Sequence, residues 1–240
     1  SLTGSIKLFV KLPQLTSLIL HKTSVDGDVG IFENNTIMRV LDLGYTKVKG
    51  DVACFRACDS LRRIDLSETR VKGIAKAFCA TKDLVLLNLG KCASIEGNVT
   101  DYQWPSKLGT LELGCCEKIT GKLISLKSMR TLTKVAFNDT RVSGSLIQLE
   151  DKPNVKELYM SNLEIRGNIK SLAKMKRVVS LYLDGTDVTG DICVFENCDS
   201  LKRLVLSESR VFGDIGQICK LISLEIMILG RTSVTGVWSS

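Results

Sequence analysis

Apolar residues return along this chain with a fixed step. From Leu15 onward, apolar-x-x-apolar-x-apolar followed by x-x-Thr-x-Val-x-Gly-x-Ile is written ten times. The first copy reads Leu15-Thr16-Ser17-Leu18-Ile19-Leu20, then Thr23, Val25 and Gly27-Asp28-Val29; the second has Met38, Leu41, Leu43, Thr46, Val48 and Gly50-Asp51-Val52. First positions fall at 15, 38, 61, 84, 108, 132, 155, 178, 201 and 224, so the step is 23 residues, with two steps of 24 after 84 and 108. A regular period of this size predicts a solenoid. The last two apolar residues of each opening hexad are one residue apart, so a strand turns both to one face and the intervening residue to the other. A single repeat cannot bury that face, but stacked repeats can, and ten strands spaced about 4.7 to 4.9 Å apart make a parallel sheet on the order of 45 Å long.

The two longer steps are local. Repeats four and five read Leu89-x-x-Cys92-x-x-Ile95 and Leu113-x-x-Cys116-x-x-Ile119 where their neighbours have Thr-x-Val, and the sixth returns to Thr140-x-Val142. Ahead of the first full unit, Leu2-Thr3-Gly4-Ser5-Ile6 matches only the tail of the pattern. The return segments carry a further apolar column, Phe32, Phe55, Phe78, Tyr102, Leu126, Leu149, Leu172, Phe195 and Ile218, expected to plug the core from the convex side. At roughly 1.5 to 3 kcal/mol for each large buried side chain, the repeated positions suffice to drive folding without metal or disulfide.

The unit LxxLxLxxTxVxGxI resembles the leucine-rich repeat, whose signature is LxxLxLxxN/CxL, and the match runs through essentially the whole chain. Two departures stand out. The position usually held by Asn carries Thr23, Thr46, Thr69, Thr140, Thr186 and Thr232, with Ser209, Cys92, Cys116 and Leu163 as variants; a hydroxyl offers one donor where an amide both donates and accepts, so this ladder should hold loop backbone less firmly. The LxGxI tail looks like the plant-type subclass, which sets a second short strand beside the first; its glycine invites a bend or bulge. The resemblance implies an α/β solenoid, a right-handed horseshoe or superhelix with a parallel concave sheet and mostly irregular or 3-10 convex segments. We expect a single domain over 1–240, a partial repeat over 1–14 followed by ten repeats over 15–240.

Composition narrows the function. The chain of 240 residues is 44% hydrophobic and 25% charged, fitting a globular fold, and no run of 18 apolar residues suggests a membrane span. No signal peptide is evident, and Ser1 begins inside a repeat, which points to a processed or truncated chain. The nine cysteines fall at structural places: Cys92 and Cys116 in the ladder, Cys58 and Cys198 at matching convex positions, Cys54, Cys79, Cys193 and Cys219 on return segments. Their odd number and lack of terminal pairs favour a reducing, cytoplasmic compartment over a secreted one. Three sequons, at Asn34, Asn98 and Asn138, weigh weakly the other way, and Asn138 is placed on the strand face. Cys115-Cys116 is read as no metal site, being adjacent on a strand with no second ligand pair. His21, the only histidine, is read as a surface residue, and no nucleophile elbow, phosphate loop or zinc motif is present, so no catalytic residue, metal ligand or cofactor is assigned.

Function is then expected on the exposed face of the strand repeats. Its central column is Ile19, Asp42, Asp65, Asn88, Glu112, Ala136, Tyr159, Tyr182, Val205 and Ile228: acidic, then small, then a tyrosine pair, then apolar. Flanking columns add Arg63, Lys134 and Arg203 among other bases. Solvated strand positions would explain this column too, since surface ion pairs are worth little. The functional reading is a peptide or protein groove contributed by Asp42, Arg63, Asp65, Asn88, Glu112, Lys134, Tyr159, Tyr182 and Arg203, because Tyr and Arg dominate binding hot spots. Asp42 and Asp65, side by side in register, would repel unless a basic ligand group or Arg63 answers them. The net charge of +7 raises nucleic acid as a partner, but the bases scatter over all repeats instead of forming a continuous track. The expectation is therefore a noncatalytic recognition module for a protein or peptide, without membrane insertion. The alternative is an assembly subunit packing through the solenoid's ends and edges; Trp238 is expected to close the C-terminal end, and if it does not, the caps lie outside this chain or in a partner.

Overall fold

The structure, a computed structural model, describes residues 2–236; Ser1 and residues 237–240, and with them Trp238, lie outside the described residues. Each repeat contributes two strands and a return segment. Ten three-residue strands, from Ser17–Ile19 and Val40–Asp42 to Arg203–Val205 and Ile226–Ile228, pair in parallel and in chain order to form one sheet. Eleven further strands, from Thr3–Ser5 and Ser24–Asp28 to Arg210–Asp214 and Ser233–Thr235, form a second parallel sheet in the same order. Among the described residues, ten 3-10 segments carry the chain between the second strand of one repeat and the first strand of the next.

The register follows the apolar period. Leu41 pairs with Ile64 and Ile64 with Leu87, so identical positions stack through the molecule, and all three are fully buried. The return-segment column is buried as expected, from Phe32 to Ile218, with Tyr102 the most exposed of them at 7%. One apolar cluster runs from Ile6 to Leu221. The extra residue in repeats four and five is taken up by a tight turn after each cysteine, where the Ile95 amide donates to the Cys92 carbonyl at 3.0 Å and Ile119 to Cys116 at 2.9 Å.

Two backbone devices repeat with the sequence. In the LxGxI tail, Gly50 has φ +118, and a Cβ there would stand 2.2 Å from Asp28 Oδ1 of the preceding repeat. That carboxylate is already engaged, because it caps the return segment by accepting from the Gly30 amide at 2.8 Å. Glycine is thus required twice over, by a backbone angle that side chains avoid and by a cap that leans across it. The second device follows each first strand, where one residue per repeat takes a left-handed conformation, including Lys22, Tyr45, Glu68, Lys91, Cys115 and Asp139. Its amide then donates to a carbonyl of the next repeat, as in Tyr45 to Ser67 at 2.8 Å and Glu68 to Gly90 at 2.9 Å. The strand-like hydrogen bonding between repeats is prolonged past the strand end, which offsets the roughly 1 kcal/mol cost of the backbone angle.

The ladder hydroxyls act within their own repeats. Thr46 Oγ1 donates to the Leu43 carbonyl at 2.6 Å and Thr140 Oγ1 to Phe137 at 2.7 Å. The two cysteine variants reach back one repeat instead, Cys92 Sγ to the Leu66 carbonyl at 3.0 Å and Cys116 Sγ to Leu89 at 3.1 Å. Two placements differ from the sequence reading. Cys115, Cys116 and Asn138 are not on strands, because the preceding strands end at Glu112 and Ala136; all three lie in the turn that the left-handed residue creates.

Candidate functional site

Because the outward residue of each short strand is in register with its neighbours, the sequence column becomes a physical row. Asp42, Asp65, Asn88, Glu112, Ala136, Tyr159, Tyr182 and Val205 are successive cross-strand partners. A second row on the same face holds Arg63, Leu86, Thr110, Lys134, Glu157, Ser180 and Arg203. All nine residues expected at a site therefore sit on one face, although they form three local groups.

The middle group is the most connected. Lys134 Nζ lies 3.1 Å from Glu112 and 3.3 Å from Glu157, and 5.7 Å above the Tyr159 ring. Tyr159 donates its hydroxyl to Glu157 Oε2 at 3.1 Å, and its ring centroid is 5.0 Å from that of Tyr182 at an interplanar angle of 37°. Partial burial works against the Lys134 charge, yet the hydrogen bonds and charges of the two glutamates outweigh it and raise its pKa above the ordinary lysine value. Burial, and then the Glu157 charge, push the Tyr159 phenol upward. The result is a cation held between two carboxylates beside a paired aromatic wall.

The acidic group is organised differently. Asp42 Oδ1 meets His21 Nδ1 at 3.0 Å and accepts from the Gly44 amide at 3.1 Å. Asp65 accepts from the Ser67 amide at 2.9 Å, the Ser67 hydroxyl at 2.6 Å and Asn88 Nδ2 at 2.9 Å. Arg63, expected from the sequence as a base that could answer this acidic pair, makes no ion pair among the described residues; the side chain that meets Asp42 is His21. Arg203 belongs to the third group, 3.7 Å from Glu225, which is also paired with Lys202 at 2.6 Å.

Beside these rows runs an open groove of about 390 Å³. Asp65, Asn88, Glu112 and Lys134 supply its floor, and the left-handed residues Tyr45 and Lys91 stand among its walls. The sequence reading missed His21, Tyr45 and Ser67 as members of this surface, and it placed Glu157 in a flanking column without assigning it to the site. Tyr45, Ser67 and His21 occupy the two positions after the last strand leucine, and the apolar period says nothing of where a turn aims them. Cys115 and Asn138 also line the groove.

No known sequence family matches the chain, and no curated protein matches it by sequence. Solved structures do resemble it. A TDR receptor superposes with TM-score 0.77 at 19% identity, covering 98% of this chain and 42% of that one. The plant peptide hormone receptor RGFR1 in complex with RGF2 gives 0.72 at 18% identity, covering 98% and 43%. An internalin of Listeria monocytogenes gives 0.74 at 16%, covering 95% and 70%. The chain thus spans less than half the length of both receptors. At these identities the likeness is one of fold.

Proposed function

We propose that this chain, which has the leucine-rich-repeat fold, is a noncatalytic recognition module whose ten repeats work as one domain and whose strand face binds a peptide or an extended segment of a protein. The observation that carries the reading is the Lys134–Glu112–Glu157 group set against the Tyr159–Tyr182 pair. A rigid aromatic wall with few rotamers to freeze lies next to charges already oriented by one another, the combination that concentrates binding energy at an interface. Two of the similar structures are a peptide hormone receptor, solved with its ligand, and another receptor, which supports the same class of partner. No helix among the described residues is long and apolar enough to cross a membrane.

Selection of a displayed random-peptide library against the folded chain tests this directly. Peptides so obtained should lose more than about 1 kcal/mol of binding, roughly fivefold or more, with either Tyr159→Ala or Tyr182→Ala. Peptides that bind both variants as tightly as the parent would move the site elsewhere.

A second reading has its own observation. Large apolar side chains are exposed toward both ends of the described solenoid, Leu8 at 69%, Ile19 at 63% and Ile222 at 96%, with Ile226 and Ile228 beside the last. An assembly role through these ends predicts concentration-dependent association in light scattering that Ile222→Lys abolishes, while the tyrosine variants leave it unchanged.

A further inference from the structure

We propose that His21, Asp42 and Asp65 form a binding site for a borderline divalent cation of the zinc, cobalt or nickel type. This inference does not depend on the strand face binding a peptide. One donor atom from each of the three side chains lies within 4.8 Å of the others. They come from three successive repeats, so only stacking brings them together. A point between His21 and Asp65 is left open by residue 44: a Cβ on Gly44 would lie 2.7 Å from Asp65 Oδ1, 2.9 Å from His21 Nδ1 and 3.0 Å from Ser67 Oγ. Glycine is not needed there for its backbone angle, since Gly44 is absent from the glycines with positive φ. Its missing side chain is what keeps the convergence point free.

Charge and ligand type point the same way. Asp42 and Asp65 are direct cross-strand neighbours, no lysine or arginine among the described residues pairs with either, and His21 Nδ1 stands 3.0 Å from Asp42 Oδ1. Two carboxylates in register repel unless a cation stands between them. Amide hydrogen bonds from Gly44 to Asp42 and from Ser67 to Asp65 aim the two oxygens, the kind of outer support that metal-binding carboxylates ordinarily have. An imidazole with two carboxylates suits zinc, cobalt or nickel better than magnesium or calcium, which prefer oxygen alone. Three protein ligands leave further coordination positions facing the groove.

The chain's single histidine makes the test direct. Zinc titrated alone into the untagged protein should shift the ring signals of His21 in proton–nitrogen NMR spectra and saturate at one equivalent. Cobalt should give visible d–d bands without the near-ultraviolet band of thiolate ligation. His21→Ala and Asp65→Asn should each weaken zinc binding by about tenfold or more in calorimetry. Gly44→Ala keeps every ligand and fills the convergence point, so it should weaken binding comparably, whereas Lys72→Ala on the second sheet should not. Circular dichroism of each variant checks that the fold is retained. Unshifted His21 signals, a thiolate band, or Gly44→Ala and His21→Ala binding zinc like the parent would each overturn the proposal.

Discussion

Single residues reveal constraints that the repeat imposes without displaying them. Gly50 faces both a left-handed backbone and the Asp28 cap of the preceding repeat, so Gly50→Ala combines backbone strain with loss of that cap. We expect a loss of about 2 to 4 kcal/mol in denaturant unfolding, against less than about 0.5 kcal/mol for an exposed control such as Lys72→Ala. Lys152 is the opposite case, a charge where the period wants hydrocarbon. It is 1% exposed, stands in the convex column between Met129 and Met175, and its ammonium donates to the Lys127 carbonyl at 2.9 Å. Burial pushes its pKa below the ordinary 10.5. Since the unfolded chain holds that proton more tightly than the native one, the lysine weakens the fold below its native pKa, and the penalty fades as pH rises toward the unfolded value. Lys152→Met should therefore raise stability at pH 7 by about 1 kcal/mol, and the advantage should shrink as unfolding is measured at increasingly alkaline pH up to about 10. A constant advantage across that range would place the ammonium in water.

At the scale of elements, what the sequence makes legible is what the apolar period fixes. The first strands and the buried plug column from Phe32 to Ile218 follow from spacing, whereas the second strands are implied only by the resemblance that the LxGxI tail carries. The row of Asp42, Asp65, Asn88 and Glu112 is legible for the same reason, since equal steps bring equal positions into register. The turn after each first strand is not. Its left-handed residue is glycine only at Gly185, and elsewhere Lys, Tyr, Glu, Cys, Asp, Asn or Arg, so no residue type announces it. The turn's aim decides that His21 meets Asp42, that Tyr45 lines the groove, and that Cys115 leaves the strand. The cysteines show the same division. Cys54, Cys58, Cys92, Cys116 and Cys198 are buried on ladder or return positions, Cys79, Cys115 and Cys193 are half-buried, and Cys219 is exposed. Burial first, then Cys58 and nearby carboxylates, push the Cys54 thiol up to about 12, and burial pushes Cys116 to about 12 and Cys79 to about 11. Thiolate is the reactive form, so a disulfide-exchange reagent should label Cys219 first and the five buried thiols only after unfolding. Early labelling of Cys92 or Cys116 would mean that the ladder opens without global unfolding.

For the molecule as a whole, each repeat touches its neighbours and little else, so stability should behave as a sum of repeat and interface contributions along one axis. Leu113 is the last apolar residue of the fifth repeat's opening hexad, one past the strand that ends at Glu112, and is fully buried with repeats on both sides. A carboxylate there would face only hydrocarbon above and below, at a cost of several kcal/mol. In a solenoid that cost can be relieved by local opening, because the halves before and after the lesion keep their own stacking. Leu113→Asp should thus convert a single unfolding transition into two, or broaden it markedly. Hydrogen exchange should quicken first in the fourth to sixth repeats while amides near Leu41 and Leu204 stay protected. Glu112→Ala, one residue away on the outward face, should leave the single transition intact and lower stability by no more than about 1 kcal/mol, the scale of a partly exposed ion pair with Lys134. The contrast between adjacent residues is what makes the experiment decisive for register. If Glu112→Ala proved the more disruptive of the two, the inward and outward rows would be exchanged, and every residue placed on the binding face would belong to the core.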